Sequence, residues 1–585
     1  MPSGRRRLTR GGKVDYTIKI GGAAGQGLQT IGASLSKVFA RHGYHLFSFQ
    51  DYESRVRGGH NFYQVRFSEE KVFCPREPVD ILVALDKESI PLHGDELSDI
   101  GFAIYDSADI KEKFEGERFI DIPFSQIAVD QGGNKVMANT AATGAVLGML
   151  GMDVELLTRV LEDTLKRKDL LEPNVKVARA GHEFGSKNCP RCSFQPAAGA
   201  SPRMTIEGNA AIAFAAIASG CKFYSGYPMT PSTGILTFMA NHAERHGLVV
   251  EQAEDEISAI NMVLGASFAG VRSMTATSGG GFALMVEGLS LAGMTETPVV
   301  VVLAQRPGPA TGFPTRTEQS DLLFGLFAGH GEIPRIAFAP GTPEQAFALV
   351  NKAFDLTEKY QVPVIIFTDQ HYADSEWSLD NIDLGQFEVR DYRVRGDAFK
   401  ALSSYRRHAF TDDGVSPLAV PGDAPHLVVT DSDEHDEEGH IVEDAETRRR
   451  MVDKRYFKKM PNIRREMEPP LVYGSDKPDI LLVGWGSNYG VLKESVDVLG
   501  ADQQVAMMHF TELYPLPEEG RRGFMDTIRG AKKAICVENN ASGRFAQLLR
   551  METGYEFERS IRKYDGRPFT LEGLLEEIDG HLSGV

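Results

Sequence analysis

The sequence predicts an α/β protein in which parallel strands alternate with helices, and three observations support this prediction. Short apolar, strand-like runs recur along the chain, and helix-like runs follow many of them. The 59 glycines cluster in the loops between these runs, as is typical of parallel α/β sheets. A length of 585 residues is enough for three or four domains of roughly 150 residues each.

The composition limits the class of function. A hydrophobic content of 42% and a charged content of 25% are ordinary for a globular protein. The net charge of -18 argues against non-specific nucleic-acid binding. No run approaches the ~20 apolar residues of a membrane span, and the basic start of the chain lacks the apolar core of a secretory signal. Five scattered cysteines do not form a disulfide scaffold, which indicates a reducing cytoplasm.

The first predicted domain covers residues 1–185. Tyr16–Ile20 alternates like a strand, a glycine loop follows at residues 21–27, and Leu28–His42 has the pattern of an amphipathic helix. Further elements of this βαβ-type domain are expected as strands at Ile81–Leu85 and Ile104–Tyr105 and as helices at Asn139–Leu150 and Val154–Leu165.

A second domain is predicted at residues 204–375, after a linker at residues 186–203. Helix-like runs separate its strands, as in a doubly wound sheet. The predicted strands are Phe223–Tyr224, Val249–Glu251, Ser273–Ala276, Val299–Leu303 and Val364–Phe367.

The last part of the chain contains an irregular segment and a third domain. Residues 376–476 are polar, with an acidic run at 430–439 that is typical of a solvated loop. The segment is too long to be a plain linker. Residues 477–585 begin with the strand-like run Ile480–Gly486 and repeat the order of strand, glycine loop and helix.

The most informative motif combines a turn with an acidic helix start. Residues 226–233, Gly-Tyr-Pro-Met-Thr-Pro-Ser-Thr, predict a turn rich in proline and hydroxyl groups. After about twenty residues, Glu254, Asp255 and Glu256 open a helix of small residues that can pack closely on a neighbour. Burial there would favour the protonated form of a carboxyl group. On composition alone, the acidic residues could also be an ordinary first helical turn.

Residues 227–231, Tyr-Pro-Met-Thr-Pro, resemble the Tyr-Pro-Ile-Thr-Pro turn of the 2-oxoacid:ferredoxin oxidoreductases, which use thiamine diphosphate. The resemblance implies that Glu256, rather than the competing Glu254, hydrogen-bonds the aminopyrimidine ring at N1′. It also implies that Pro228 adjoins the cofactor and that Thr230 and Tyr227 contact the substrate. The three domains would be a gamma-type domain, a pyrimidine-binding domain and a transketolase C-terminal-like domain, each Rossmann-like or doubly wound. The resemblance also implies that residues 376–476 form an ordered surface extension, as the alternative to a solvated loop.

A loop with two arginines, residues 306–321, follows the predicted strand Val299–Leu303. Ligands of open α/β sheets lie beyond the carboxyl ends of strands, and an arginine can bind a carboxylate through two hydrogen bonds. The stretch Thr-Gly-Phe-Pro-Thr-Arg at 311–316 resembles the 2-oxoglutarate branch of the family. We expect Arg316 to bind the oxoacid carboxylate, with Arg306 as the second choice. An exposed arginine without a ligand is the alternative.

The glycine loop at residues 21–27 resembles a phosphate-binding loop, because backbone N–H groups at a helix start can surround an anion. Its register departs from the dinucleotide-binding motif, and no acidic residue marks a ribose site. The family's gamma domain has a similar Gly-Gln-Gly loop. The resemblance implies that Gly25, Gln26 and Gly27 help to hold coenzyme A, with Arg55 and Arg57 for its phosphates. A purely structural glycine turn is the alternative.

Two metal-binding patterns are incomplete in this sequence. Cys189 and Cys192 have zinc-knuckle spacing without a second pair, so a redox pair or a plain loop is favoured and no metal site is predicted. No four-cysteine run could hold an iron–sulfur cluster, and no Gly-Asp-Gly could anchor a diphosphate through Mg²⁺. The resemblance implies that a separate beta subunit supplies the Mg²⁺ module and a [4Fe-4S] cluster, in an (αβ)₂ heterotetramer.

The implied function is that of a fused gamma–alpha subunit. The complex would oxidatively decarboxylate a 2-oxoacid, expected to be 2-oxoglutarate, form the acyl-coenzyme A and pass electrons to ferredoxin. It would also run in the reverse, CO₂-fixing direction of a reductive TCA cycle. The alternatives are pyruvate or a branched-chain 2-oxoacid as substrate, a thiamine enzyme that does not use ferredoxin, and a non-catalytic scaffold that binds coenzyme A.

Overall fold

A computed structural model describes residues 14–54, 58–189, 192, 194–197, 199–518 and 523–583. Three main sheets with flanking helices confirm the α/β class. The chain divides into two compact units. The first contains the described residues up to Ile206 together with Ser375–Ile382 and Phe569–Glu576, and the second contains the other described residues. Across the described ranges, every helix is too short or too polar to cross a membrane.

The first unit is built on an eight-stranded mixed sheet in the order β6-β5-β4-β1-β3-β2-β14-β7. Its strands are β1 (Asp15–Ala24), β2 (His45–Asp51), β3 (Gly58–Ser68), β4 (Val79–Ala84), β5 (Leu97–Tyr105), β6 (Phe119–Asp121), β7 (Met204–Glu207) and β14 (Glu376–Leu379). Its helices are α1 (Leu28–His42), α2 (Ser89–His93), α3 (Ser107–Ile110), α4 (Phe124–Gly132), α5 (Ala138–Met149), α6 (Val154–Thr164) and α7 (Leu171–Lys187).

The elements predicted for this unit are present, and α1 has the predicted bounds. β1 pairs in parallel with β4, as in a βαβ arrangement, but it also pairs antiparallel with β3, which pairs antiparallel with β2. Strands β2 and β3 were not predicted from the sequence. The first unit is therefore a mixed sheet rather than a wholly parallel one.

The predicted linker packs against the first unit. α7 continues to Lys187, and Cys189 forms a disulfide with Cys192, as in the redox-pair alternative. The Phe194 ring meets the Tyr16 ring edge-on at 5.0 Å. These contacts make the start of this segment part of the first unit's packing.

The second unit contains a seven-stranded sheet in the order β20-β12-β13-β11-β10-β8-β9. The strands are β8 (Phe223–Gly226), β9 (Val249–Gln252), β10 (Ser273–Thr277), β11 (Val299–Gln305), β12 (Ile336–Phe338), β13 (Pro363–Asp369) and β20 (Glu512–Tyr514). The helices are α8 (Gly208–Ala218), α9 (Thr233–His246), α10 (Glu256–Phe268), α11 (Gly279–Thr295), α12 (Leu322–Phe327), α13 (Pro343–Tyr360) and α14 (Gln370–Asp374). All pairs except β12–β20 are parallel, which confirms the doubly wound prediction.

The irregular segment is ordered by buried charges. Its elements are β15 (Arg393–Val394), α15 (Gly396–Lys400), β16 (Leu418–Ala419), α16 (Ala445–Val452), a π-helix (Asp453–Lys458) and α17 (Lys459–Glu466). Lys454, Lys459 and His408 all bind the carboxylate of Glu296, at the end of α11, and all four side chains are essentially without solvent exposure. Of the two alternatives, the ordered extension is therefore correct.

The C-terminal region of the second unit contains a five-stranded sheet in the order β17-β19-β18-β21-β22, parallel except for β17. The strands are β17 (Leu471–Gly474), β18 (Ile480–Trp485), β19 (Val505–Phe510), β21 (Lys533–Glu538) and β22 (Arg559–Arg562). The helices are α18 (Tyr489–Leu499), α19 (Phe524–Gly530) and α20 (Arg544–Thr553). The last helix, α21 (Leu571–Ser583), begins in the segment Phe569–Glu576 of the first unit and ends in the second unit.

Candidate active site

Four parallel strands bring the predicted site residues to one edge of the seven-stranded sheet. β9, β8, β10 and β11 are neighbours in that order, so their carboxyl ends lie side by side. The Tyr-Pro-Met-Thr-Pro turn follows β8, Glu256 follows β9, and the arginine loop follows β11. This edge is where open α/β sheets bind ligands.

Glu256 is the first residue of α10, and it is buried with 3% of its surface exposed. Asp255 caps the helix by accepting a 2.7 Å hydrogen bond from the Ser258 N–H. Glu254, the competing choice, is exposed. In the part of the chain that the structure describes, no group hydrogen-bonds Oε1 of Glu256. A buried carboxyl oxygen without a partner is costly, so it indicates that another molecule completes the site.

The turn after β8 is fixed by hydrogen bonds to its carbonyl groups. Arg306 donates from Nη1 to the Thr230 carbonyl at 2.6 Å. Asn209 donates from Nδ2 to the Pro231 carbonyl at 2.8 Å. Pro228 and the Thr230 side chain are half-buried, while Tyr227 is 41% exposed. The turn is therefore held by its backbone, which leaves the Thr230 and Tyr227 side chains at the surface of the site.

Asp321, at the end of the arginine loop, is a second acidic group of the site. Its backbone N–H donates to Oε1 of Gln305 at 2.9 Å. Burial raises the pKa of Asp321 to about 6, although the Arg544 and Arg306 guanidinium groups oppose that shift. Burial also lowers the pKa of Arg306, which Asp321 partly offsets. Asp321 and Arg544 were not predicted as site residues. Arg544 lies more than 200 positions after Asp321 in the chain, so no local pattern joins the two.

Arg316 has a different environment from Arg306. Its backbone N–H donates to the Phe313 carbonyl at 3.1 Å. Gly566 lies close to this side chain, since a β-carbon built on Gly566 would be 3.1 Å from the Cβ of Arg316. Thr317, which follows Arg316, donates from its N–H to the Gly566 carbonyl at 3.3 Å. Arg316 thus packs against the C-terminal region, whereas Arg306 contacts the turn.

Gln319 joins this loop to the C-terminal region from a fully buried position. Its Nε2 donates to the Trp485 carbonyl at 3.2 Å, and its Oε1 accepts from Nδ2 of Asn488 at 3.0 Å. The backbone N–H of Gln319 donates to the Asn539 carbonyl at 2.7 Å. These bonds hold the arginine loop in place, and nothing in the local sequence marks Gln319 for this role.

The predicted glycine loop at residues 21–27 is shorter in the structure, because β1 continues to Ala24 and only residues 25–27 form the turn before α1. Gly25 and Gly27 have left-handed φ angles of 91° and 82°. Gln26 accepts from the Ala23 N–H at 2.6 Å and donates to the Leu85 carbonyl at 3.1 Å, so its side chain closes the loop. Cavities of about 320 and 410 Å³ flank the loop. Arg55 and Arg57 lie outside the described residues.

Comparison with known proteins shows which family the chain resembles. Residues 214–454 match the family described as "Pyruvate flavodoxin/ferredoxin oxidoreductase, thiamine diP-bdg", and residues 17–184 match "Pyruvate ferredoxin/flavodoxin oxidoreductase". A 2-oxoacid:ferredoxin oxidoreductase subunit alpha of a Sulfolobus species is 32% identical over 96% of each chain. The 2-oxoglutarate synthase subunit KorA of Methanothermobacter marburgensis is 31% identical and matches 64% of this chain and 98% of its own.

A solved structure has a similar fold over nearly its whole length. It is the 2-oxoglutarate:ferredoxin oxidoreductase from Magnetococcus marinus with 2-oxoglutarate, coenzyme A and succinyl-CoA bound, and it is 30% identical. The match covers 97% of this chain and 99% of that chain with a TM-score of 0.89. With the buried acid and the Tyr-Pro-Met-Thr-Pro turn at one sheet edge, these matches show that the chain belongs to the family of 2-oxoacid:ferredoxin oxidoreductase alpha subunits.

Proposed function

We propose that this chain is the alpha subunit of a 2-oxoglutarate:ferredoxin oxidoreductase that uses thiamine diphosphate and coenzyme A. The observation that carries the proposal is the buried Glu256, whose Oε1 has no hydrogen-bond partner among the described residues. A ring nitrogen of the cofactor's aminopyrimidine can supply the missing partner. The residues therefore fit the group.

When bound, thiamine diphosphate supplies the carbanion chemistry that cleaves a 2-oxoacid. The proposed role of Glu256 is to share a proton with N1′ of the pyrimidine, through the oxygen that lacks a protein partner. A hydrogen bond to a charged group is worth about 1.5–3 kcal/mol, and it is stronger where water is excluded. Burial of Glu256 at the start of α10 provides that exclusion.

Arg306 is the residue that the contacts favour for the substrate carboxylate. It lies at the turn, donates to the Thr230 carbonyl, and is half-buried beside Asp321. Its remaining N–H groups can bind a carboxylate, while Thr230 and Tyr227 can donate from their hydroxyl groups. Arg316 stays a prediction, as does the choice of 2-oxoglutarate, which rests on the relatives named KorA and on the Magnetococcus enzyme.

A beta subunit is proposed to complete the site. α10 carries no charged residue after Glu256, and its exposed side chains include Ile257 and Met262, which are 49% and 41% exposed. Leu284 on the neighbouring α11 is 49% exposed. Exposed apolar side chains beside an incomplete site are typical of a protein interface. Glu287 on α11 is an exposed charged residue on the same face. The partner would supply Mg²⁺ and the diphosphate site, a [4Fe-4S] cluster and the path to ferredoxin, in an (αβ)₂ assembly.

Coenzyme A is proposed to bind at the glycine loop. The two cavities beside Gly25 are large enough to hold part of a nucleotide. Their lining includes Asp51, Glu53, Asp106 and Asp109 against the single cation Lys135, so the charge of the described lining does not favour phosphate.

The reverse, CO₂-adding direction follows from the same residues, because a catalyst accelerates both directions.

Glu256→Gln and Glu254→Gln test the proposed function as a matched pair. Each variant is purified with its beta subunit and assayed for reduction of a one-electron acceptor that depends on 2-oxoglutarate and coenzyme A. We expect Glu256→Gln to lose on the order of 10²–10⁴-fold in kcat, because a proton-transferring group is removed, while assembly stays intact. Exposed Glu254→Gln should keep its kcat within about twofold. If Glu256→Gln keeps the same kcat as Glu254→Gln and the parent complex, the proposal is refuted and a non-catalytic scaffold is favoured.

A further inference from the structure

The first turn of α11 lies directly against the Glu256 carboxyl group. Gly279, Gly280 and Gly281 open that helix. A β-carbon built on Gly281 would lie 2.4 Å from Oε1 of Glu256 and 2.1 Å from Oγ1 of Thr277. Both distances are well below the 3.0 Å that real β-carbons keep from other heavy atoms. No residue with a side chain therefore fits at position 281 while Glu256 keeps its place.

The two neighbouring glycines have different surroundings. A β-carbon on Gly280 would meet no atom within 4 Å, and one on Gly279 would lie 2.4 Å from Oδ2 of Asp321. None of the three glycines has a φ angle in the left-handed region. Backbone conformation thus does not require glycine at position 281, and the reason for it is space.

Packing is what limits the position of the Glu256 carboxyl group on this side. Its Oε1 accepts no hydrogen bond from the described part of the chain. Its Cγ would lie 2.7 Å from the same β-carbon, so a methyl group at position 281 would press on the side chain at two atoms. Thr277, the other group in contact, is fully buried, and its Oγ1 donates to Sδ of Met229 on the turn at 3.9 Å.

We propose that Gly281 is a positioning residue for Glu256, which can reach the cofactor's pyrimidine only because Gly281 has no side chain. The inference rests on the role proposed above for Glu256. A methyl group at Gly281 would have to displace the carboxyl oxygen by some tenths of an ångström to about 1 Å. A misplacement of that size in a catalytic group costs on the order of 10²-fold in rate.

The test uses the assembled complex with Gly281→Ala, Gly280→Ala and Glu256→Ala. Gly281→Ala should lower kcat on the order of 10²-fold with little change in the KM for the oxoacid, and it should weaken binding of thiamine diphosphate about tenfold or more, measured by calorimetry. Gly280→Ala makes the same chemical change one residue earlier in the helix. It should leave both quantities within about twofold, because its methyl group meets no atom of this chain.

A double variant makes the result specific to Glu256. In the Glu256→Ala background, Gly281→Ala has no carboxyl group to displace, so it should cause no further loss of cofactor affinity or kcat. If the two losses are additive, or if Gly280→Ala is as damaging as Gly281→Ala, the positioning role is refuted. If Glu256→Ala alone has no effect, the proposed function fails instead.

Poor folding of Gly281→Ala would be resolved by Thr277→Ala/Gly281→Ala, which removes the 2.1 Å clash with Thr277 and keeps the clash with Glu256. This variant should fold and assemble but still bind thiamine diphosphate about tenfold or more weakly than Thr277→Ala alone. Parent-like affinity in the double variant would overturn the proposal.

Discussion

Two buried glutamates at the ends of neighbouring helices differ in how their charge is satisfied. Glu256 begins α10, and its Oε1 has no partner within the described ranges. Glu296 follows the last residue of α11, and its carboxylate binds Lys454, Lys459 and His408. Burial by itself would raise the pKa of Glu296, but Lys454 and Lys459 hold it well below its ordinary value.

The difference separates a structural acid from an acid that needs a ligand. Glu296 finds all its partners in its own chain, and those partners come from the extension that it anchors. Glu256 is equally buried, but the chain leaves one oxygen unsatisfied at the sheet edge where ligands bind. Burial alone does not identify a functional carboxyl group. A buried oxygen without a partner points to one when it also lies at the sheet edge where ligands bind.

The largest expected effect in stability is that of Glu296→Gln. This change leaves Lys454 and Lys459 buried side by side without a counter-charge, so we expect a loss of about 3–5 kcal/mol in the unfolding free energy of the second unit. Urea denaturation followed by tryptophan fluorescence measures it. Exposed Glu287→Gln on the same helix is the control and should change stability by less than about 0.5 kcal/mol. An unchanged denaturation midpoint for Glu296→Gln would contradict the structural role assigned to Glu296.

The change in unfolding free energy caused by Glu256→Gln should be smaller than that of Glu296→Gln and of the opposite sign. The amide cannot ionise, so it removes the cost of burying a carboxylate whose Oε1 the described residues do not satisfy. Cofactor-free protein should therefore be equally stable or about 1 kcal/mol more stable. The same denaturation experiment, after removal of thiamine diphosphate, gives the value. A loss of more than about 2 kcal/mol would mean that Glu256 is a structural acid like Glu296.

Asp321 is an intermediate case that sharpens the comparison. Its pKa is raised by burial to about 6, against the effect of Arg544 and Arg306, so the folded protein holds this proton more tightly than the unfolded chain. Stability from this group is fully present below pH about 4 and is lost as the pH rises to about 6. Relative to Asp321→Asn, the parent's Tm should therefore fall by on the order of 2–4 °C across that window. A difference that does not vary with pH would contradict the assignment.

Residues close together in the sequence were the predictable part of this protein. The turn at Tyr227, the acidic helix start at Glu256 and the arginine loop each carry their signal within a few residues, and the parallel strands bring them to one edge. Glu256 was preferred to Glu254 because of the small-residue pattern that follows it and its place in the family motif. In the structure Glu256 is buried and Glu254 is exposed.

The partners that lie far apart in the chain were not predictable. Glu296 is separated from Lys454 by 158 residues, and neither residue type nor spacing pairs them. The same holds for Gln319 with Asn539 and for Asp321 with Arg544. The antiparallel strands β2 and β3 were also missed, because the alternation of strands and helices gave no signal for a strand that returns beside β1.

A cofactor analogue with carbon in place of N1′ tests the central claim most directly. The parent complex and Glu256→Ala are each titrated with thiamine diphosphate and with the analogue, and the dissociation constants are compared. We predict that the parent binds thiamine diphosphate at least about tenfold more tightly than the analogue, and that Glu256→Ala binds both equally. The same preference for thiamine diphosphate in both proteins would contradict the account.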